Sequence, residues 1–208
     1  MSLVTNWGYR LEEVNYLQDM LSVDEFNEFT ADKYQNDKRT EQNLHAASDA
    51  IRNYCGWHVF PSLACSLNTT LHNNRVTRVK SGLQIQLPAT YVTEVSSVKI
   101  AGAECPVFVI EPNGLLNVYE VSLAGCKEYT TVEVEYTAGI PDSLMGSIRE
   151  LVAHRVTHAL ASSAGVQSET AGGVSITYSA NWINTSRSTA LADDNKEVLA
   201  PYKVKGVF

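Results

Sequence analysis

Glu150, His154 and His158 are spaced one helical turn apart in the stretch RELVAHRVTHAL, so on a helix one carboxylate and two imidazoles share a side. Two imidazoles four residues apart can share a metal ion, and a small metal-dependent hydrolase could be built on such a set. The order is not that of an HExxH motif, and the sequence offers no convincing third ligand. His158 also lies nearly in line with Leu151, two turns earlier, beside the apolar stripe. Packed or interface histidines are therefore expected, and no metal or other cofactor is implied.

His45 and His58 frame a second set, in which Ser48 or Cys55 could act as nucleophile. Cys55 stands at the end of a predicted helix, where the dipole disfavours a thiolate, so core packing is the better reading. The sequence has no GxSxG, P-loop or GxGxxG motif, and the carboxylate pairs Glu12-Glu13 and Asp193-Asp194 read as solvent-facing. No active site is expected.

The helices that carry these residues are legible from periodicity. Ser22-Val23-Asp24-Glu25 is a capping box with Leu21 and Phe26 placed as its hydrophobic staple, opening a first helix over Val23 to Ala31. A second helix runs from Asp37 to Cys55, with Leu44, Ala47, Ile51 and Tyr54 or Cys55 on one stripe and Gly56 at its left-handed cap. Trp57 is expected to anchor the exit. A third helix runs from Asp142 to a stop at Gly165, with Leu144, Ile148, Leu151, Val152, Val156, Ala159 and Leu160 along one face. It is expected to pair with the second as the core.

Between these helices the period changes to two. Leu83–Leu87, Val98–Ile100 and Val132–Tyr136 alternate, Val107–Ile110 is a continuous apolar run, and Pro112-Asn113-Gly114 is the strongest hairpin signal. Beyond Gly165 a Ser, Thr and Gly-rich segment leads through Ala171-Gly172-Gly173 to an alternating Val174–Tyr178, then a short helix over Asp193 to Leu199. The expected fold is α+β: a helical core of three main helices, a small antiparallel β insertion between the second and third, and extended N- and C-terminal arms. The corresponding divisions are an arm over 1–21, a core over 22–165 (helices 22–58, β insertion 59–138, third helix 139–165) and a C-terminal arm over 166–208.

Composition limits the partners. A formal charge of −7 without clustered Lys and Arg disfavours tight binding to duplex DNA. Arg75, Arg78 and Lys80 form only a thin basic strip. No apolar run is long enough to cross a bilayer, and no cationic start precedes an apolar segment, so neither membrane insertion nor secretion is expected. Cys55, Cys65, Cys105 and Cys126 lack metal spacing and read as buried, reduced thiols, although a Cys65–Cys105 or Cys105–Cys126 bridge is conceivable if those strands pair. Trp182 is placed equally well to pack on its own domain or to meet a partner.

Three segments taken in order, Ala46–Pro61 with its YCGWHVFPS end, Val132–Val156 with its YTAG strand end, and Ser168–Tyr202 with its LAPY end, resemble the phage head-tail connector family. These are the adaptors that sit beneath the portal. The resemblance implies a virion neck protein made in the host cytoplasm, whose copies form a homo-oligomeric ring, dodecameric in that family, with DNA running through the lumen unbound. Its implied partners are the portal protein, further copies of itself, and the next neck protein, a stopper or tail-completion component. By matched position the second and third helices would build the ring wall, and the C-terminal arm would face the portal. Trp182, Leu191, Val198, Leu199, Tyr202 and Phe208 are the portal-interface candidates. Tyr54, Gly56, Trp57, Leu151 and Val152 are the core and hinge residues. A stopper or tail-completion role is the nearest alternative.

Overall fold

The computed structural model describes residues 2–121, 126–161, 168–171, 174–177 and 193–204. Two compact units divide the chain: one comprises Met1–Gln18, Cys55–Asp142 and Tyr202–Phe208, the other Asp19–Tyr54 and Ser143–Pro201.

The first unit is β structure. Its larger sheet has six antiparallel strands, β1 (Leu3–Val4), β2 (Arg10–Leu11), β3 (Leu63–Thr70), β6 (Val92–Ile100), β7 (Ala103–Glu104) and β10 (Thr131–Ala138), in the order β1-β2-β3-β10-β6-β7. The central strand β10 pairs with β3 along its whole length, from Thr131 opposite Thr70 to Ala138 opposite Leu63. Val132, Val134, Tyr136 and Ala138 are buried in strict alternation, as period two requires for a strand with one face on the core. The smaller sheet has four strands, β4 (Val76–Val79), β5 (Gly82–Gln86), β8 (Phe108–Glu111) and β9 (Leu115–Tyr119), in the order β4-β5-β9-β8. Leu83, Ile85, Leu116 and Val118 form its buried face. Pro112–Gly114 makes the tight turn between β8 and β9, with Asn113 and Gly114 both at positive φ.

The second unit holds the α-helices found among the described residues: α1 (Val23–Phe29), α2 (Thr40–Cys55, its last residue falling in the first unit), α3 (Gly146–Ala161) and α4 (Asp193–Leu199). It also holds the hairpin of β11 (Ser168–Ala171) and β12 (Val174–Thr177). Ser22 caps α1 as expected, its hydroxyl accepting from the Glu25 N–H while the Glu25 carboxylate accepts from the Ser22 N–H at 2.8 Å. The helix stops two residues early because Ala31 and Asp32 both adopt positive φ. α2 starts at Thr40 rather than Asp37, whose carboxylate instead accepts from the Arg39 N–H at 2.9 Å and holds a turn ahead of the helix. α3 buries Ile148, Leu151, Val152, Ala153, Val156 and Leu160, whereas Leu144 lies in a preceding 3₁₀ turn and is exposed. Arg149 ties α3 to the start of α1, donating to the Met20 carbonyl at 3.2 Å and pairing with Glu25 at 3.4 Å.

This architecture overturns the expected helical core with a small β insertion. The chain is mostly β, with two antiparallel sheets of six and four strands, and the four helices are short. Nor is the N-terminal segment an extended arm: Leu11 pairs with Cys65 of β3, and Tyr9 and Leu11 are buried. Of the expected C-terminal arm, residues 166–167, 172–173, 178–192 and 205–208 lie outside the described residues; at its described end the Val204 N–H donates to the Cys55 carbonyl. The reason is that β3, LACSLNTT, points Cys65, Leu67 and Thr69 inward. Small and polar residues at two of those three places blur the alternation that marks a strand.

Candidate functional site

The segment after α2 organises the first unit. Gly56, at φ +78°, lets the chain leave the helix, and Trp57, wholly buried, donates from its indole Nε1 to the Tyr202 carbonyl at 2.7 Å. The same carbonyl accepts from the Thr90 hydroxyl at 3.2 Å. His58 is also wholly buried. Its Nε2 lies 2.9 Å from the Ala138 carbonyl, which can only accept, so Nε2 carries the proton. Nδ1 then accepts from the Tyr9 hydroxyl at 2.8 Å, and that hydroxyl accepts from the His58 N–H at 3.0 Å. Val59 adopts φ +64°, rare for a β-branched residue, within a three-residue turn closed by the Phe60 N–H on the His58 carbonyl at 2.7 Å.

The strand end Tyr136-Thr137-Ala138-Gly139 meets this turn. The Ile140 N–H donates to the Val59 carbonyl at 2.8 Å, and the Gly139 N–H to the Tyr91 carbonyl at 3.0 Å. Gly139 sits at φ +140°, and a β-carbon there would come within 2.4 Å of the Pro61 oxygen and the Ser62 Cα. Only glycine fits. The YCGWHVFPS, YTAG and LAPY segments, scattered along the sequence, therefore meet in one hydrogen-bonded junction with Tyr9. It holds the strands together and offers no free reactive group: His58 has both ring nitrogens engaged.

The sets with catalytic potential are not assembled. His154 pairs with Glu150 at 3.6 Å on the surface of α3, and its ring packs edge-on against Phe29 at 5.5 Å. His158 is exposed, yet the protein packed around it and then the His154 charge hold its pKa below the ordinary value. Among the described residues no three His, Cys, Asp or Glu side chains are gathered to hold a metal ion. The Ser48 hydroxyl accepts from the Met20 N–H at 3.0 Å, and His45 lies between Asp19 and Asp49 on the surface. Burial pushes the Cys55 and Cys65 thiols up to about 12, so neither is a nucleophile at neutral pH. All four cysteines are free; Cys55, Cys65 and Cys105 are buried and Cys126 is partly exposed.

The sequence matches the head completion protein family over residues 19–191. The chain belongs to that family. No curated protein matches it at a comparable level. Membership of the head completion protein family makes this a structural component of the phage virion, acting at the head-tail region together with other head and tail proteins. Among the described residues, no helix is long and apolar enough to cross a membrane.

Of the residues proposed for partner contact, Trp182, Leu191 and Phe208 lie outside the described residues. Val198 is exposed on α4, Leu199 beside it is fully buried, and Tyr202 is half-buried with its carbonyl held by Trp57 and Thr90. Tyr54 donates to the Lys196 carbonyl at 3.3 Å and so fixes α4 to α2. Leu151 and Val152 are buried on α3. Tyr9 was missed by sequence reasoning: the aromatic pair Trp7 and Tyr9 in a short, aperiodic stretch was its one signal.

Proposed function

We propose that this head completion protein is a neck adaptor whose copies form a ring beneath the portal, extending the DNA channel and presenting the docking surface for the next neck protein. The family match over 19–191 carries the reading, because it spans most of the motif order that resembles the connectors. The net charge of −7 supports it: an acidic channel wall repels DNA and lets it slide. A head-to-tail contact closes into a ring only if the rotation between subunits fits, so the portal serves as template for assembly. Exposed Val198 on α4 is the apolar contact we assign to the portal side.

The connectors it resembles are mostly helical whereas this chain is mostly β, and that difference favours a second position in the same neck, that of a stopper. Cross-linking in assembled particles separates the two. An adaptor cross-links to the portal, a stopper only to another neck protein.

A further inference from the structure

The apolar stripes of α2 and α3 are buried within the chain, so contacts between copies must draw on other surfaces. The two edges of the four-stranded sheet supply them. We propose that copies of this chain join head to tail by pairing the β8 edge of one with the β4 edge of the next; this rests on the ring reading above and locates its subunit contact.

Backbone geometry supports the pairing. The Tyr119 N–H donates to the Val107 carbonyl at 2.8 Å, so in the alternating antiparallel ladder Val107, Val109 and Glu111 turn their polar groups toward β9. Phe108 and Ile110 turn theirs outward. On the opposite edge the Gln86 N–H donates to the Arg75 carbonyl at 2.8 Å, which points Thr77 and Val79 toward β5 and leaves Arg78 facing out with its N–H and C=O. Among the described residues these outward groups have no strand partner. The strands of the order β4-β5-β9-β8 alternate in direction, so β4 and β8 run oppositely. A neighbour placed in the same orientation therefore meets β8 with an antiparallel β4, and the sheet continues from copy to copy.

Side chains select this pairing over like-with-like. Residues 71–93 contain Arg75, Arg78 and Lys80 and no acid, whereas residues 100–126 contain Glu104, Glu111 and Glu120 and no base. Arg75 is turned inward to the Trp7 carbonyl, which leaves Arg78 and Lys80 as the exposed cations of the β4 edge; Arg78 lies on the Leu83 face and Glu111 on the Val109 face, so the two edges attract through their overall sign and not through a cross-strand ion pair. Like charge along each edge opposes β4–β4 and β8–β8 contacts, and the opposite sign of the two edges favours β4–β8. Val79, Val107 and Val109, three of the exposed large apolar residues, all lie on the sheet face away from the buried Leu83, Ile85, Leu116 and Val118. With Arg78 paired to Phe108 or to Ile110, Val79 stands opposite Val107 or Val109 in a non-hydrogen-bonded pair, the closest cross-strand geometry. Pro106 and Pro112 bracket β8 and limit the contact to the segment between them.

The test combines Val79→Cys in turn with Val107→Cys and with Val109→Cys, in a Cys126→Ser background. Within one copy the two edges are three strand spacings apart, about 14 Å, beyond disulfide reach. Oxidation after mixing with portal should give a ladder of disulfide-linked multimers from one of the two pairs. Arg78→Pro removes the outward N–H while leaving the β4–β5 ladder intact, and should yield a folded protein that forms no ring on the portal. Wild-type rings accompanied by no ladder from either pair, or by rings from folded Arg78→Pro, overturn the edge pairing and leave the adaptor reading standing. Absence of wild-type rings removes that reading and the edge pairing with it.

Discussion

Gly139 shows how one residue fixes the junction. Its φ of +140° and the 2.4 Å approach of Pro61 and Ser62 to a β-carbon leave no room to relax, because the opposing atoms are backbone. Gly139→Ala should lower stability by about 3 kcal/mol, read as a shift in urea midpoint at constant slope; an unchanged midpoint would show that the turn is not built this way. The thiols give a second test. Cys55 and Cys65, pushed up to about 12 by burial, stay protonated in the folded chain, so at pH 8 a thiol reagent should label Cys126 first. In the unfolded chain the same thiols ionise near the ordinary thiol value of about 8.5, so the unfolded state binds fewer protons above that pH. Stability should fall as pH rises past about 9, and Cys65→Ser should flatten the fall, as alkaline denaturation series would reveal.

Elements were legible in proportion to how cleanly their residues alternate. The capping box of Ser22 and Glu25, the apolar face of α3 and the Pro112-Asn113-Gly114 hairpin stood out because each rests on strong local chemistry. β3 and β2 did not, since the buried polar Thr69, small Cys65 and exposed Arg10 blur the apolar-polar alternation, and their place in the sheet is decided by pairing with β10 and with each other. That tertiary pairing turned an expected β insertion into the larger body of the chain. The junction was partly visible: Gly56, Trp57 and the YTAG end could be singled out, but the partners Tyr9 and Thr90 lie far off in sequence. Replacing Ser22 by Ala removes the cap from a seven-residue helix that cannot stand by itself. The expected cost is about 1 kcal/mol in chemical denaturation, and a null result would place the stability of α1 wholly in the burial of Phe26.

For the whole molecule, charge and family membership act together. In the proposed ring, the net charge of −7 would let the channel wall enclose DNA without holding it. A gel-shift at low salt should show no tight complex with duplex DNA, where retention by an acidic protein would require a concealed basic patch. The proposed ring exists only once copies assemble on the portal. Electron microscopy of purified portal mixed with an excess of this protein tests it most directly. A ring of added density at the base of the portal, continuous with its channel, is the expected result; portal particles that stay bare at saturating protein would rule the ring out.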